Sequence, residues 1–229
     1  SSYLRTHTCR VHPSGRHRRV LVLYTGGTIG MVPSPRGLLC EPGRLPKILK
    51  GLPMFHDPTY DMSTEPTVTI ANPLHGCRSP RRNLGATNGT DETSENGATV
   101  KATPVKKHEL LITPISEYGR RTSYAIKEYD DLLDSCNMKC DDWATIANDI
   151  VVNYHEFDAF IVLHGTDTMS YTASALSFML ENISKTVILT GSQIPLVRPR
   201  NDGVTNLLAA LTIAGHFDIP EVTLFFGTR

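Results

Sequence analysis

Short, continuous apolar runs that stop abruptly at glycine recur along this chain and limit the folds open to it. Arg19–Thr25 (RVLVLYT) ends at Gly26-Gly27, Asp158–Leu163 runs into His164-Gly165, and Thr186–Leu189 runs into Thr190-Gly191. Each run is short, rich in β-branched residues and without the alternation of a half-exposed strand, which predicts strands buried on both faces. Ala125–Tyr129 and Glu221–Phe226 read as two more strands. Helical spacing fills the intervals. Glu41–Leu52 places Leu45, Ile48, Leu49 and Leu52 on one side, with Pro46 early, where a helix tolerates it. Asp141–His155 aligns Trp143, Ile146, Ala147, Ile150 and Val151, with Asp141 or Asp142 as the N-cap. Ser170–Glu181 and Asp202–His216 complete the set. Buried strands separated by helices predict an α/β fold with a parallel, doubly wound sheet covered on both faces. In such folds ligands bind beyond the carboxyl ends of the strands.

Composition sets the outer bounds. A chain of 229 residues, 40% of them hydrophobic, can bury one substantial core. Acidic and basic residues balance at 23 each, which gives no reason to expect a nucleic-acid or membrane partner. No stretch has the apolar length of a signal peptide or a bilayer span, so a cytoplasmic protein is expected. Residues 1–18 form a basic leader with Arg5, Arg10, Arg16 and Arg18 and no acid, read as disordered. Residues 72–107 are polar, rich in Asn, Thr, Gly and Ser, and read as a disordered insertion in a domain spanning 19–229. Asn88-Gly89-Thr90 and Asn182-Ile183-Ser184 fit the glycosylation pattern, but only a secreted chain would use it. The cysteines number five, odd and sparse, which disfavours a disulfide framework. Cys136 and Cys140 could face the same way, yet no Cys/His pair at zinc spacing follows them, so no metal is expected.

Three strand ends carry glycine beside hydroxyl residues and would converge at one rim of the sheet: Thr25–Gly30, Gly165–Thr168 and Gly191–Gln193. The first is neither a dinucleotide fingerprint nor a phosphate loop. It offers hydroxyls on a glycine turn, where backbone N–H groups can face a developing oxyanion and an activated threonine can act as nucleophile. The bland alternative is a turn whose threonines cap the next element. In His164-Gly165-Thr166-Asp167-Thr168, Asp167 could hold a substrate ammonium and Thr166 relay a proton, or Asp167 could simply cap the following helix. His164 is either a general base or a structural hydrogen-bonder, and the second role is the commoner at a strand end. Asp134-Ser135-Cys136-Asn137-Met138 precedes the Trp143 helix, where Ser135 and the helix-start backbone could bind a carboxylate. Nothing in the sequence places a base beside Cys136.

Taken together, Thr25–Gly30 and His164–Thr168 resemble the paired signature of bacterial-type L-asparaginases. Leu132–Met138 with Trp143, Phe178–Asn182, Thr186–Gln193, Asn201–Gly203 and Asn206–Leu208 resemble the cytosolic type I branch, some of whose eukaryotic members bear a lysophospholipase name. The match covers roughly 19–51 and 125–229. The resemblance implies the N-terminal domain of an asparaginase, the smaller C-terminal domain being absent. It implies hydrolysis of L-asparagine to L-aspartate and ammonia through a threonyl acyl-enzyme, without cofactor or metal, in a full-length protein that is a homo-oligomer. Thr28 matches the nucleophile, Thr166 the second catalytic threonine and Asp167 the acid that binds the α-amino group. Ser135 matches the residue that holds the α-carboxylate. The N–H groups of Thr28 and Thr166 match the oxyanion donors, and the Ser192 carbonyl faces the substrate amide.

Two departures bear on activity. The family's catalytic lysine follows the strand ending at Phe225-Phe226-Gly227, beyond Arg229, so impaired turnover is expected of the chain as it stands, with a buried Asp167 lacking its cationic partner. Leu38 stands where many bacterial members carry a mobile-loop tyrosine. The competing reading is a non-catalytic amino-acid-binding or interaction module that keeps Ser135 and Asp167. Lipid hydrolysis rests on a family name alone, since the chain has no G-x-S-x-G elbow.

Overall fold

The structure is a computed structural model describing residues 10–11, 17–65, 68–72 and 109–227. In chain order the elements are strands β1 (Arg10–Val11), β2 (Arg18–Gly26), β3 (Met31–Ser34) and β4 (Gly37–Cys40), helix α1 (Arg44–Lys50), strands β5 (Leu110–Ile112) and β6 (Thr122–Leu133), helix α2 (Cys140–Val152), strand β7 (Ala159–Leu163), helix α3 (Met169–Met179), strand β8 (Thr186–Thr190), helix α4 (Gly203–His216) and strands β9 (Phe217–Asp218) and β10 (Val222–Leu224). Single 3-10 turns occupy Thr28–Gly30 and Ser135–Asn137.

The central sheet runs β10-β8-β7-β2-β6-β5. All its pairings are parallel except that of β5, which lies antiparallel on β6 at one edge. The apolar runs are continuous because both faces are covered. Val20, Val22 and Tyr24 of β2 join the core formed with Leu45 and Leu49 of α1 and Leu207, Ala210 and Leu211 of α4. Leu21 and Leu23 point the other way, into the core formed with Ile146 and Ile150 of α2 and Met169 and Leu176 of α3. The chain leaves β2, returns as β6 on one side, then crosses to β7 on the other. The strand order thus reverses at β2, the position where doubly wound sheets open a crevice beyond the strand ends.

Several expectations are corrected. The sheet claims Arg18, placed by sequence in the leader: it is buried, pairs with Asp218 at 2.6 Å and donates to the Phe217 carbonyl at 2.8 Å. The leader is not without structure at Arg10–Val11, which pair antiparallel with Phe217–Asp218. The rest of it apart from His17, the segment 73–107 with the triplet at Asn88, and Cys9 and Cys77 lie outside the described residues. Lys139, not Asp141 or Asp142, is the N-cap of α2; Asp142 instead accepts the Lys139 N–H at 2.7 Å from inside the first turn. Val151, expected on the buried face of α2, is 58% exposed. The β3–β4 hairpin and β5 were not expected at all.

Where α2 crosses β6, a polar cluster replaces apolar packing. The Asp149 carboxylate, 1% exposed, accepts from Lys127 Nζ at 2.6 Å and from the Tyr129 hydroxyl at 2.6 Å. Among the described residues, no helix is long and apolar enough to cross a membrane.

Candidate functional site

The β2 and β7 loops meet backbone to backbone. Thr25 Oγ1 donates to the Leu163 carbonyl at 3.0 Å, tying the last turns of the two strands together. Gly27, at φ +85°, has no room for a side chain: a Cβ there would lie 2.6 Å from the Gly165 nitrogen. Only glycine fits both the dihedral and the approach. Thr28 and Thr166 each follow a member of this touching pair, and both are half-buried at the rim.

The loop after β6 closes the third side. A Cβ on Gly165 would fall 2.6 Å from Ser135 Oγ, so the serine hydroxyl stands directly against the glycine. Thr168 Oγ1 donates to the Ser135 carbonyl at 2.8 Å. Ser135 is 1% exposed, yet its hydroxyl has no hydrogen-bond partner among the described residues. An unsatisfied buried hydroxyl costs about 1–3 kcal/mol, which a bound acceptor would recover. The Ser192 hydroxyl is in the same condition.

The loop after β8 is fastened to the other two. Asn206 Nδ2 donates to the Gly191 carbonyl at 2.9 Å, and the Asp202 carboxylate accepts the Gln193 and Ile194 N–H groups at 2.8 and 2.9 Å. Gln193 Nε2 reaches Thr166 Oγ1 at 3.4 Å, and the Leu196 N–H donates to the Ile29 carbonyl at 3.2 Å. The contact of Gln193 with Thr166 joins residues far apart in the chain and has no local signal in the sequence.

His164 is a structural residue. Its ring is fully buried, with Nδ1 2.6 Å from the Gly165 carbonyl and Nε2 2.8 Å from Thr172 Oγ1, which in turn accepts from Trp143 Nε1 at 2.9 Å. Burial holds its pKa below the usual imidazole value. Asp167 is exposed, not buried as expected, and among the described residues no cationic nitrogen pairs with it. Partial desolvation, then the Asp134 and Asp167 carboxylates, hold the Cys136 thiol above its ordinary pKa, which lowers its thiolate fraction. Among the described residues no cluster of His, Cys, Asp or Glu is arranged to hold a metal. A cavity of about 220 Å3 beside this rim is lined by Thr25, Tyr129, Asp130, Asp131, Leu133 and Met138, and does not include Thr28 or Thr166.

Comparison with known proteins gives a consistent result. The family model described as "Asparaginase, N-terminal" matches residues 19–229. The chain is 39% identical over 210 residues to the L-asparaginase of Dirofilaria immitis, covering 92% of this chain and 29% of that protein. It is 38% identical over 215 residues to the human 60 kDa lysophospholipase, covering 94% and 30%. Among solved structures, L-asparaginase I from Vibrio cholerae superposes with a TM-score of 0.62 at 37% identity, covering 93% of this chain and 46% of that one. The chain therefore spans under a third of these two curated relatives and under half of the solved structure.

Proposed function

The chain belongs to the asparaginase family, matching its N-terminal domain, and on that premise we propose that its rim of loops hydrolyses L-asparagine to L-aspartate and ammonia. The observation that carries this reading is the buried, unpartnered Ser135 hydroxyl set against Gly165, the glycine that precedes Thr166–Asp167 and that touches Gly27, the residue before Thr28.

In this reading Thr28 Oγ1 attacks the side-chain amide carbon and yields its proton toward Thr166. The carbonyl oxygen takes up negative charge between the N–H groups of Thr28 and Thr166. Collapse breaks the C–N bond, and the leaving nitrogen takes a proton and departs as ammonia. Water then cleaves the threonyl ester, releasing aspartate and restoring Thr28. Ser135 donates to the substrate α-carboxylate, supplying the hydrogen bond its hydroxyl lacks within the chain. Asp167, exposed at the mouth, holds the α-ammonium, and the Ser192 carbonyl faces the amide. No cofactor or metal enters these steps. Among the described residues the cysteines, Cys40, Cys136 and Cys140, are free thiols, which suits a reducing, cytoplasmic setting. Turnover belongs to the whole protein, in which the family resemblance supplies a lysine to pair with Thr166 and Asp167 and a homo-oligomeric assembly.

The test is ammonia release by full-length protein, with L-aspartate affinity measured in parallel. Thr28→Ala is expected to lower kcat by on the order of a thousandfold or more while aspartate still binds. Equal rates for the two proteins would remove Thr28 from the chemistry. A wild type that binds aspartate but releases no ammonia would instead support the amino-acid-binding module.

A further inference from the structure

Beneath the first loop, Tyr24, Cys40 and Gly27 form a hydrogen-bonded chain that the steps above do not use. The Tyr24 hydroxyl donates to Cys40 Sγ at 3.4 Å, and the Cys40 thiol donates to the Gly27 carbonyl at 3.4 Å. Tyr24 is 1% exposed, and its hydroxyl is wedged under the Thr28–Gly30 turn, 2.0 Å from where a Cβ on Gly30 would sit. Burial holds the half-buried Cys40 thiol above its ordinary pKa, so it keeps the proton that this contact needs. Cys40 is the last residue of β4, where it pairs with Met31 across the β3–β4 hairpin.

The Gly27 carbonyl and the Thr28 N–H are the two ends of one peptide group. A donor on the carbonyl polarises that group, strengthening the N–H as a donor in turn, and fixes the plane in which the N–H points. We propose that Cys40, anchored by Tyr24, is a positioning residue that sets the orientation and strength of the Thr28 N–H and so couples the hairpin to the oxyanion site. This rests on the assignment of that N–H as an oxyanion donor.

Cys40→Ala and Cys40→Ser in full-length protein separate positioning from packing. Alanine removes the donor, and kcat is expected to fall about five- to tenfold, the scale of one neutral hydrogen bond, with KM and L-aspartate affinity within about twofold of wild type. Serine keeps a donor and should recover most of the loss. The peptide itself can be read by nuclear magnetic resonance. Labelling glycine carbonyls and threonine nitrogens restricts the spectrum to Gly–Thr peptides, of which this chain holds four. The Gly27 carbonyl and Thr28 nitrogen resonances should both move upfield in Cys40→Ala and return in Cys40→Ser. Unmoved resonances, or an alanine variant as active as wild type, would overturn the proposal. So would equal losses in kcat and aspartate affinity, the pattern of general disruption. If wild-type protein releases no ammonia, the hydrolytic reading fails, while the resonances still decide whether Cys40 acts on this peptide.

Discussion

Replacing Lys127 by methionine leaves the Asp149 carboxylate, 1% exposed, without its cation and with the Tyr129 hydroxyl as its remaining side-chain donor. Methionine matches the lysine stem in length and packs as well, so the cost is electrostatic. Removing one partner of a buried pair costs about 3–5 kcal/mol, and the retained tyrosine contact puts the expectation near about 3 kcal/mol. With a urea slope of roughly 2–3 kcal/mol per molar, the unfolding midpoint should fall by about 1–1.5 M. The double variant Lys127→Met/Asp149→Leu removes both charges and leaves only the Tyr129 hydroxyl without a partner. Its loss should be smaller, about 1–2 kcal/mol, and adding Tyr129→Phe should bring stability back to within about 1 kcal/mol of wild type. Urea unfolding followed by circular dichroism on the wild type and these three variants gives the series. A double variant as unstable as Lys127→Met, or worse, would refute the reasoning, because an uncompensated carboxylate would then not be the source of the loss.

Two further outcomes concern the rim. Gly165→Ala would drive a methyl to 2.6 Å from Ser135 Oγ and 2.7 Å from Ser135 Cβ; overpacking of this kind costs about 1–3 kcal/mol. The melting temperature should drop roughly 3–10 °C and L-aspartate binding should be lost, and an alanine variant that binds normally would show the loops are not in contact. The buried His164 has its pKa held down in the folded state, so the unfolded chain takes up the proton first as pH falls. Its contribution to stability is therefore complete above the unfolded value of about 6.5 and declines as pH falls through that value toward the folded one. Urea midpoints at about pH 8 and about pH 5 should differ more for wild type than for His164→Gln, and equal differences would exclude His164 from the acid response.

The strands that build the rim were legible because burial on both faces leaves a local mark. Val20 to Tyr24, Phe160 to Leu163 and Val187 to Leu189 are uninterrupted apolar runs, and glycine punctuates their ends. The loops were legible as a set for the same reason. What holds them together was not. That Gly27 touches Gly165, that Gly165 touches Ser135 and that Gln193 reaches Thr166 are facts about residues brought together by the sheet, with no periodic signature. The β3–β4 hairpin has no clear mark in the sequence, because Pro33 interrupts one strand and Leu38-Leu39 breaks the alternation of the other, with both leucines exposed. The roles of His164 also could not be separated by sequence: its full burial and its contacts to Gly165 and Thr172 make it structural. Asp167 was expected inside because a charged pair was assumed around it, and the chain leaves it facing solvent.

The absence of any side chain between Gly27 and Gly165 has a consequence for how the crevice ages and varies. Spacing set by main-chain radii does not drift when neighbouring residues change rotamer or when heat loosens the packing around them. Drift in the surrounding core can alter stability a good deal while leaving the two glycines at the same separation. That separation survives until the paired strands themselves part, so warming should abolish ligand binding in the same step as it melts the sheet, with no intermediate of graded affinity.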